Sequence, residues 1–333
     1  MHLWHFLRRT GWPSAVIAAF CFLIPMHASD PRAVQVKRIN YHGWTNSIVL
    51  ANPATEVVIV PAIGRVMAFR FVGEEGPLWD DPELYGKSPD PQTTEWGNFG
   101  GDKTWPAPQA DWGKVTPRAW PPPTAFDSLP VEASVAGSVI TLVSPVDSHY
   151  GIRTRRRIEL DSARPVLRIT TTYEKVSGAA LTVGVWTITQ LRDPVAVFAP
   201  VAPDSRFASG YDKQSEGLPL DLRVSEGLLS LRRGPGNGEK VGTDAGALLW
   251  VGATTMLLIR SPRVAGATYP DNGSSAEVWT NGDPKAYVEL EMLGPLKAMS
   301  KGDTLERSNT YTLLRRTTSD ARADARKALS ATD

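Results

Sequence analysis

Cysteine and histidine are scarce in this sequence. Cys21 is the only cysteine in 333 residues, and there are five histidines. Cys21 lies in a segment that we expect to be removed, so the processed chain would have no thiol for a disulfide, a nucleophile or a metal ligand. No group of His and Asp residues has metal-ligand spacing either. The sequence therefore predicts neither a metal site nor a cofactor.

An excess of charge of either sign is also missing. The chain has 36 Lys and Arg residues against 35 Asp and Glu residues. Such a balance offers no general attraction to nucleic acid or to an anionic membrane surface. After the N terminus, no apolar run is long enough to span a bilayer. We expect no nucleic-acid partner and no integral membrane segment in the processed protein, and the sequence does not indicate an oligomeric state.

The N terminus has the three parts of a signal peptide. Arg8 and Arg9 supply positive charge, residues 15–24 form an apolar run, and a candidate cleavage site precedes Ser29. We predict a signal peptide over residues 1–28 and therefore export, to the periplasm or as a secreted protein. An uncleaved membrane anchor is the alternative.

Short segments with alternating apolar and polar residues dominate the rest of the sequence. They are rich in Val, Ile, Thr and aromatic residues and are separated by Gly, Pro, Asp and Asn, which is typical of strands joined by turns. This spacing predicts an all-β fold, a sandwich of antiparallel sheets, in a single domain over residues 29–316. The predicted strands are 56–60, 65–71, 138–143, 152–160, 166–173, 181–191, 227–231, 247–251, 255–259, 286–293 and 311–314.

The last residues, 317–333, are predicted to form a short helical or disordered tail. Ser319 is a candidate helix N-cap. The low apolar content of this segment predicts a solvated or lightly docked helix. The residues expected on its polar surface are Asp320, Asp324, Arg326 and Lys327.

Tryptophans are concentrated in a region that lacks the strand pattern. Five of the eleven lie between residues 79 and 120, within a Pro-rich stretch, 74–129, that we predict to be a long irregular insertion. Flat indole faces can stack on the C–H faces of sugar rings, so the region favours a carbohydrate ligand. We expect Trp105 and Trp112 to form an exposed platform, and the other indoles to pack the insertion onto the sheet.

Polar residues accompany these indoles. Asp102 and Lys103 follow two glycines and precede prolines, and Gln109 comes shortly after. In a binding site these side chains would hold sugar hydroxyls beside Trp105. The alternative for Asp102 and Lys103 is a salt bridge that closes the loop.

Two glutamates lie on one predicted strand. Glu289 and Glu291 are two residues apart and are therefore on the same face of the strand. Close carboxylates raise one another's pKa, which suits acid–base chemistry. The alternative is an ordinary solvated strand face.

Three segments carry a resemblance to a known superfamily. They are PAIGRV at 61–66, YVELEMLGP at 287–295, and KGDT at 301–304 followed by Tyr311. Together they resemble the galactose mutarotase-like (aldose 1-epimerase) superfamily. The run GGDKTWPAPQ at 100–109 resembles an uncharacterised bacterial branch of it, a domain of unknown function. The resemblance implies an antiparallel supersandwich and, by position, Glu291 as the catalytic base.

The resemblance also implies roles for other residues. Aldose epimerases pair a Glu base with a His acid, but Trp186 stands near the aligned position of this histidine. This argues against ordinary aldose 1-epimerase activity, although a different acid could serve. Apart from the resemblance, Glu289 or Asp102 is a candidate acid, and Arg65 and Gln190 are expected to orient sugar hydroxyls. A structural role is the equal alternative for Arg65.

A strand with consecutive arginines suggests a particular ligand. Arg153, Arg155 and Arg157 share one strand face and could hold an acidic sugar such as a uronate by bidentate pairing. Pairing with neighbours such as Glu159 is the alternative.

Two further segments are predicted to be turns. His149 lies in a turn sequence, and residues 234–240 are Gly-rich but lack the Lys-Ser/Thr ending of a phosphate-binding loop.

These patterns predict an exported carbohydrate-binding protein that could be a carbohydrate-active enzyme with epimerase-, lyase- or hydrolase-like chemistry. The alternative is a non-catalytic sugar-recognition protein that kept the fold and lost the acid–base pair. A structural component of the envelope is a third interpretation, which no feature specifically supports. The candidate site residues are Glu289 and Glu291 for catalysis, and Arg65, Asp102, Lys103, Trp105, Gln109, Trp112, Trp186 and Gln190 for substrate binding.

Overall fold

Twenty-one β-strands and three α-helices are found in residues 33–89 and 95–331, the part of the chain that the computed structural model describes. The predicted signal peptide lies outside these residues. The strands are β1 (Gln35–Tyr41), β2 (Trp44–Ala51), β3 (Thr55–Val60), β4 (Arg65–Phe71), β5 (Asp102–Ala107), β6 (Glu132–Ala136), β7 (Val139–Val143), β8 (Ile152–Leu160), β9 (Val166–Lys175), β10 (Leu181–Arg192), β11 (Ala196–Pro200), β12 (Asp212–Lys213), β13 (Leu220–Ser225), β14 (Leu228–Arg232), β15 (Glu239–Thr243), β16 (Ala247–Val251), β17 (Thr255–Arg260), β18 (Ala276–Thr280), β19 (Tyr287–Leu293), β20 (Lys297–Met299) and β21 (Thr304–Arg315). The helices are α1 (Trp112–Val115), α2 (Thr124–Asp127) and α3 (Ala321–Ser330).

The strands form two large antiparallel sheets within one compact unit, Arg32–Asp333. The 11-stranded sheet has the order β1-β2-β3-β4-β5-β10-β19-β18-β15-β12, and β20 pairs with β10 beside this path. The 10-stranded sheet has the order β13-β14-β11-β16-β17-β21-β9-β8-β7-β6. The prediction of an all-β antiparallel sandwich with a long insertion and a short C-terminal helix is therefore confirmed.

The main hydrophobic core lies between the two sheets. Leu290 and Met292 of β19 and Ile259 of β17 are among its fully buried members. Each such side chain stabilises the fold by about 1.5–3 kcal/mol. Because side chains alternate along a strand, Glu289 and Glu291 take the opposite, outer face of β19. Every residue of β19 is nevertheless buried, and indoles such as Trp186 cover part of that outer face.

The insertion supplies one strand that the sequence did not predict. Residues 102–107 form β5, which lies between β4 and β10 and is paired with β10 from Asp102 to Ala107. Its only register partner on β4 is Val66, opposite Asp102. Beyond that point the β4 side of β5 is unpaired, so Pro106, which has no N–H to donate, is tolerated there.

The C-terminal helix is capped and docked differently from the prediction. Asp320, not Ser319, caps α3, because its side chain accepts a hydrogen bond from the backbone N–H of Arg322 at 2.8 Å. Ala325 and Ala328 are buried against the outer face of the 10-stranded sheet. Asp324, predicted on the polar surface, is also buried, and its carboxylate accepts a hydrogen bond from Arg316 at 3.1 Å. The helix is thus a packed element of the fold.

Helices are short in the described part of the chain. The longest, α3, has ten residues, whereas a membrane span needs about 20. Between residues 33 and 89 and between 95 and 331, no helix is long and apolar enough to cross a bilayer.

Candidate functional site

The candidate site lies on the outer face of the 11-stranded sheet. Lys103 of β5 and Glu291 of β19 both pair in register with Ile188 of β10, and Glu277 of β18 pairs with Glu291. Directly paired residues point to the same side of a sheet. The next row across the same face contains Gln190, Glu289, Trp279 and Lys240. Three carboxylates and two ammonium groups are thus gathered on one face.

Glu291 is buried and held by two donors. Its Oε2 accepts hydrogen bonds from Trp186 Nε1 at 2.8 Å and from Lys240 Nζ at 2.9 Å, and Lys240 Nζ lies 2.6 Å from Glu277 Oε2. Burial raises the pKa of Glu291 well above its usual range; Lys240 opposes this shift, and Glu277 and Glu289 add to it. Burial lowers the pKa of Lys240, but the two carboxylates beside it outweigh burial and hold that pKa above its ordinary value. Neither hydrogen bond to Glu291 uses its Oε1.

Lys103 and Glu289 form a second charged pair on this face. Lys103 Nζ lies 3.8 Å from Glu289 Oε1, the oxygen that also accepts a hydrogen bond from Gln190 Nε2 at 2.8 Å. Lys103 Nζ is 4.8 Å from the ring centre of Trp105 and 5.6 Å from that of Trp96, within cation–π range. Within the described residues, this nitrogen makes no hydrogen bond.

An indole wall covers this charged face. Its members are Trp96, Trp105, Trp112, Trp120 and Trp186, whose rings contact one another mostly edge to face with centres 5.2–6.3 Å apart. Asp127 of α2 holds two of these rings, because it accepts hydrogen bonds from Trp105 Nε1 at 2.9 Å and from Trp96 Nε1 at 3.2 Å. One carboxylate therefore fixes the two indoles that flank Lys103.

The prediction that Trp105 and Trp112 form an exposed platform is wrong. Their exposed fractions are 3% and 0%. Trp112 donates its indole N–H to the carbonyl oxygen of Pro106 at 2.7 Å, and Trp105 donates to Asp127, so both large rings can be buried without an unmet donor. On the site face, Trp279 is only half-buried.

Asp102 lies on the opposite side of the sheet from Lys103. It is buried beneath β5, where its Oδ1 pairs with Arg156 of β8 and its Oδ2 accepts hydrogen bonds from Thr189 and Tyr311, each at 2.7 Å. Burial raises the pKa of Tyr311 well above its ordinary value, and the Asp102 charge adds to this shift. The expectation that Asp102 faces a ligand beside Trp105 is therefore wrong, as is the Asp102–Lys103 salt bridge. Consecutive residues of a strand point to opposite faces.

Arg65 and Gln109 do not reach the charged face in the way that the sequence suggested. Arg65 is buried and donates to Asp127 at 2.8 Å and to the carbonyl oxygen of Gly100 at 2.7 Å, so it supports the indole wall from behind. Gln109 lies in an exposed short 3-10 turn after β5. Among the predicted binding residues, Lys103, Trp186 and Gln190 are the ones with direct contacts to the glutamates.

Sequence reasoning missed several residues of this site. The sequence predicts a turn that includes Lys240, but the turn ends at Gly238 and Lys240 belongs to β15. Glu277 and Trp279 lie in β18, whose Val, Trp and Thr residues favour a strand and could have identified it. Asp127 carries no such signal, because its role depends on side chains from distant segments.

The arginine-rich strand is β8 of the 10-stranded sheet, and its arginines pair with nearby glutamates. Arg153 and Arg155 both donate to Glu174, at 2.8 and 2.9 Å, and Arg157 pairs with Glu159. The alternative of pairing with neighbours is therefore confirmed, and no cluster for a uronate is formed there. The turn prediction for His149 is confirmed as well.

A cavity of about 330 Å³ adjoins the indole wall. Trp96 and Asp127 contribute to its lining, and so does Asn98, whose buried Oδ1 has no hydrogen bond within the described residues. A cavity of this size with mixed polar and apolar lining is within the range of small-molecule sites. Glu289 and Glu291 do not line it.

The two sheets build a β-sandwich with the galactose mutarotase-like fold. The galactose mutarotase-like protein of Lactobacillus casei has a TM-score of 0.54 and 8% identity, over 80% of this chain and 100% of that one. A galactose mutarotase-like protein of Clostridium acetobutylicum has a TM-score of 0.51 and 9% identity, over 86% and 100%. YeaD, a candidate mutarotase of Salmonella typhimurium, has a TM-score of 0.55 and 11% identity, over 84% and 94%. Identities this low show a shared fold only.

The chain itself belongs to the family described as domain of unknown function DUF4380, whose model matches residues 45–314. Among curated proteins, none matches the sequence. The expectation of a family known as a domain of unknown function is therefore confirmed, and the mutarotase-like resemblance is confirmed for the fold.

Proposed function

We propose that the protein binds a carbohydrate on the outer face of the 11-stranded sheet and that Glu291 is a general base there. The observation that carries this proposal is the cross-strand register that gathers Glu289, Glu291 and Lys103 on one face under the indole wall. A sugar presents hydroxyl groups and apolar C–H faces, and this part of the protein offers partners for both.

The sugar would enter on the side of Glu289 and Lys240. Their side chains are 10% and 18% exposed, whereas those of Glu277 and Glu291 are almost fully buried. Trp279 is the register partner of both Glu289 and Lys240 and is half-buried. We therefore assign the stacking role to Trp279 in place of Trp105 and Trp112.

Glu291 has the properties that a base in this position needs. Burial and its carboxylate neighbours raise its pKa, and the ideal catalytic pKa lies near the operating pH. Trp186 and Lys240 fix the carboxylate through Oε2 alone. This leaves Oε1 as the oxygen for a ligand proton.

The charges of the site favour a neutral sugar. Glu277, Glu289 and Glu291 face two ammonium groups, Lys103 and Lys240, so an added anion would meet no excess of positive charge. The names of the structural relatives, galactose mutarotase-like proteins, agree with a neutral aldose.

A binding screen with matched variants tests this proposal. Purified protein is titrated calorimetrically with neutral mono- and oligosaccharides and with uronic acids. Trp279→Ala should weaken binding about tenfold, since an aromatic contact is worth about 0.5–1.5 kcal/mol beyond buried area. Glu306→Gln, an exposed glutamate of β21 on the other sheet, is the control and should bind normally. If none of these sugars binds the wild-type protein, the proposal is wrong.

A non-catalytic sugar-recognition protein is the second candidate. Trp186 stands near the position where the superfamily resemblance expects a histidine acid, which favours this alternative. Glu291→Gln separates the two: an enzyme keeps binding and loses turnover, whereas a recognition protein shows no turnover in either form.

We also propose that the protein is exported. Arg8 and Arg9 before the apolar run 15–24, and the candidate cleavage site before Ser29, support this proposal.

A further inference from the structure

Lys103 is an unusual lysine. Its exposed fraction is 1%, and lysine is almost never fully buried unless it is paired. Glu289 Oε1 is its nearest charged partner, at 3.8 Å, beyond hydrogen-bond distance. The indoles of Trp105 and Trp96 occupy two further sides of the ammonium group. Three N–H donors are therefore held inside a structured site without an acceptor among the described residues.

The surroundings of Lys103 weaken its hold on the proton. Burial lowers the pKa of Lys103 to about 8; Glu289 opposes the shift, Arg65 adds to it, and Asp127 and Glu291 oppose it. These four groups, from β19, β4 and α2, are the charged residues with the largest effects on its pKa. At neutral pH the amine is mostly protonated, but it gives up its proton far more readily than an exposed lysine.

Lys103 also lies across from the proposed base. Ile188 of β10 is the register partner of both Lys103 and Glu291, so the two charged residues occupy strands on either side of β10. Their backbones are two strand spacings, about 10 Å, apart, and both side chains point to the outer face. A donor and an acceptor thus flank Ile188, whose buried side chain lies on the same face.

We propose that Lys103, whose buried ammonium group lacks an acceptor, is the proton donor of this site. This inference rests on the proposed function. In the opening of an aldose ring, Glu291 accepts the proton of the anomeric hydroxyl while the bond between the anomeric carbon and the ring oxygen breaks. Lys103 donates a proton to that oxygen, and the open-chain aldehyde results. Ring closure reverses both transfers, so neither group is consumed and no co-reactant is needed.

The titration of Lys103 can be measured without a ligand. The full chain is labelled with 13C-lysine, and the side-chain resonances are followed by NMR between pH 6 and pH 11. One resonance should titrate near pH 8, and it should be absent from Lys103→Arg. A Lys103 resonance that titrates above pH 10 would overturn the inference, whatever the protein binds.

Anomer exchange of D-galactose, D-glucose and D-mannose, followed by NMR, tests the chemistry. Lys103→Met should lower kcat on the order of 10²-fold with KM little changed, as for loss of a general acid. Wild-type activity should fall above about pH 8. Lys103→Arg should lose about as much activity as Lys103→Met, because arginine keeps the charge but does not release its proton. Lys37→Met, at an exposed position of β1, is the matched control and should behave as wild type.

The outcomes separate this inference from the proposed function. If a sugar binds but its anomers do not exchange faster than in buffer, the role of Lys103 is refuted while binding stands. The same conclusion follows if Lys103→Met, shown to be folded by its circular dichroism, exchanges as fast as wild type. If no sugar binds, the proposed function itself fails.

Discussion

Carboxylates on the two faces of the 11-stranded sheet differ in whether one of their oxygens remains available to a ligand. Asp102, on the core face, uses both oxygens: Arg156 pairs with Oδ1, and Thr189 and Tyr311 donate to Oδ2. Glu291, on the outer face, is bound through Oε2 alone. Asp102 therefore has a structural role, and the outer carboxylates remain the candidates for chemistry.

Asp102→Ala should destabilise the protein by about 3–5 kcal/mol, because Arg156 would be left buried without its partner. Chemical denaturation with urea measures this change. Glu75→Ala removes an exposed carboxylate that pairs with Arg192 and should change stability by less than about 1 kcal/mol. Equal losses for the two variants would contradict the structural role of Asp102.

Lys103 should make stability depend on pH in the alkaline range. Its folded pKa, about 8, lies below the unfolded value near 10.4, so between these pH values the unfolded chain binds more protons and stability rises with pH. Lys103 should raise the free energy of unfolding by on the order of 3 kcal/mol over this range, since each pH unit between the two pKa values contributes about 1.4 kcal/mol.

The measurement is the difference in the free energy of unfolding between wild type and Lys103→Met from pH 7 to pH 11. Subtraction removes the contribution of the other titrating groups. The difference should shift in favour of wild type as pH rises, and a flat difference would show that Lys103 has an ordinary pKa in the folded protein.

At the scale of elements, strands with a clear period of two could be predicted, and strands set by tertiary contacts could not. β8 and β9 alternate buried and less buried residues over nine and ten positions, and both were predicted. β5 contains Pro106 and is buried on both faces, so neither composition nor period identifies it. Glu289 and Glu291 were placed on one face from spacing alone, whereas Asp127 acts through partners far away in sequence.

Substitutions in α3 test whether its packing against the 10-stranded sheet stabilises the protein. Ala325→Glu would bury a carboxylate against the outer face of the 10-stranded sheet, so we expect a loss of more than about 2 kcal/mol. Ala323→Glu, the same change at an exposed position of α3, is the control and should stay within about 0.5 kcal/mol of wild type. Thermal unfolding distinguishes the two, and a solvated helix would give equal, small effects.

At the scale of the whole molecule, the two sheets differ in what covers their outer faces. α3 packs on part of the 10-stranded sheet through apolar residues, whereas the 11-stranded sheet has charged residues beneath the indole wall. One outer face is thus closed by the chain's own helix, and the other contains the groups that could bind a ligand. The fold alone does not define an activity, which depends on the groups on this face.

If the protein is exported, the form found outside the cytoplasm should lack the signal peptide. When the full chain is expressed in a bacterium with a periplasm, the extracytoplasmic form should begin at Ser29, because signal peptidase cleaves after small residues such as Ala28. Intact mass and N-terminal sequencing of the periplasmic fraction give the result. A protein that stays cytoplasmic with Met1 intact would contradict the prediction.

The alternation of side chains along β5 makes this strand intolerant of insertions and deletions. Asp102 faces the core and Lys103 the site, and pairing with β10 runs without interruption to Ala107. Loss of a single codon inside this segment would invert every later side chain, moving Trp105 inward and a proline outward. Evolution or a protein engineer can therefore exchange amino acids along this strand, but changes of length must be confined to the loops at its two ends.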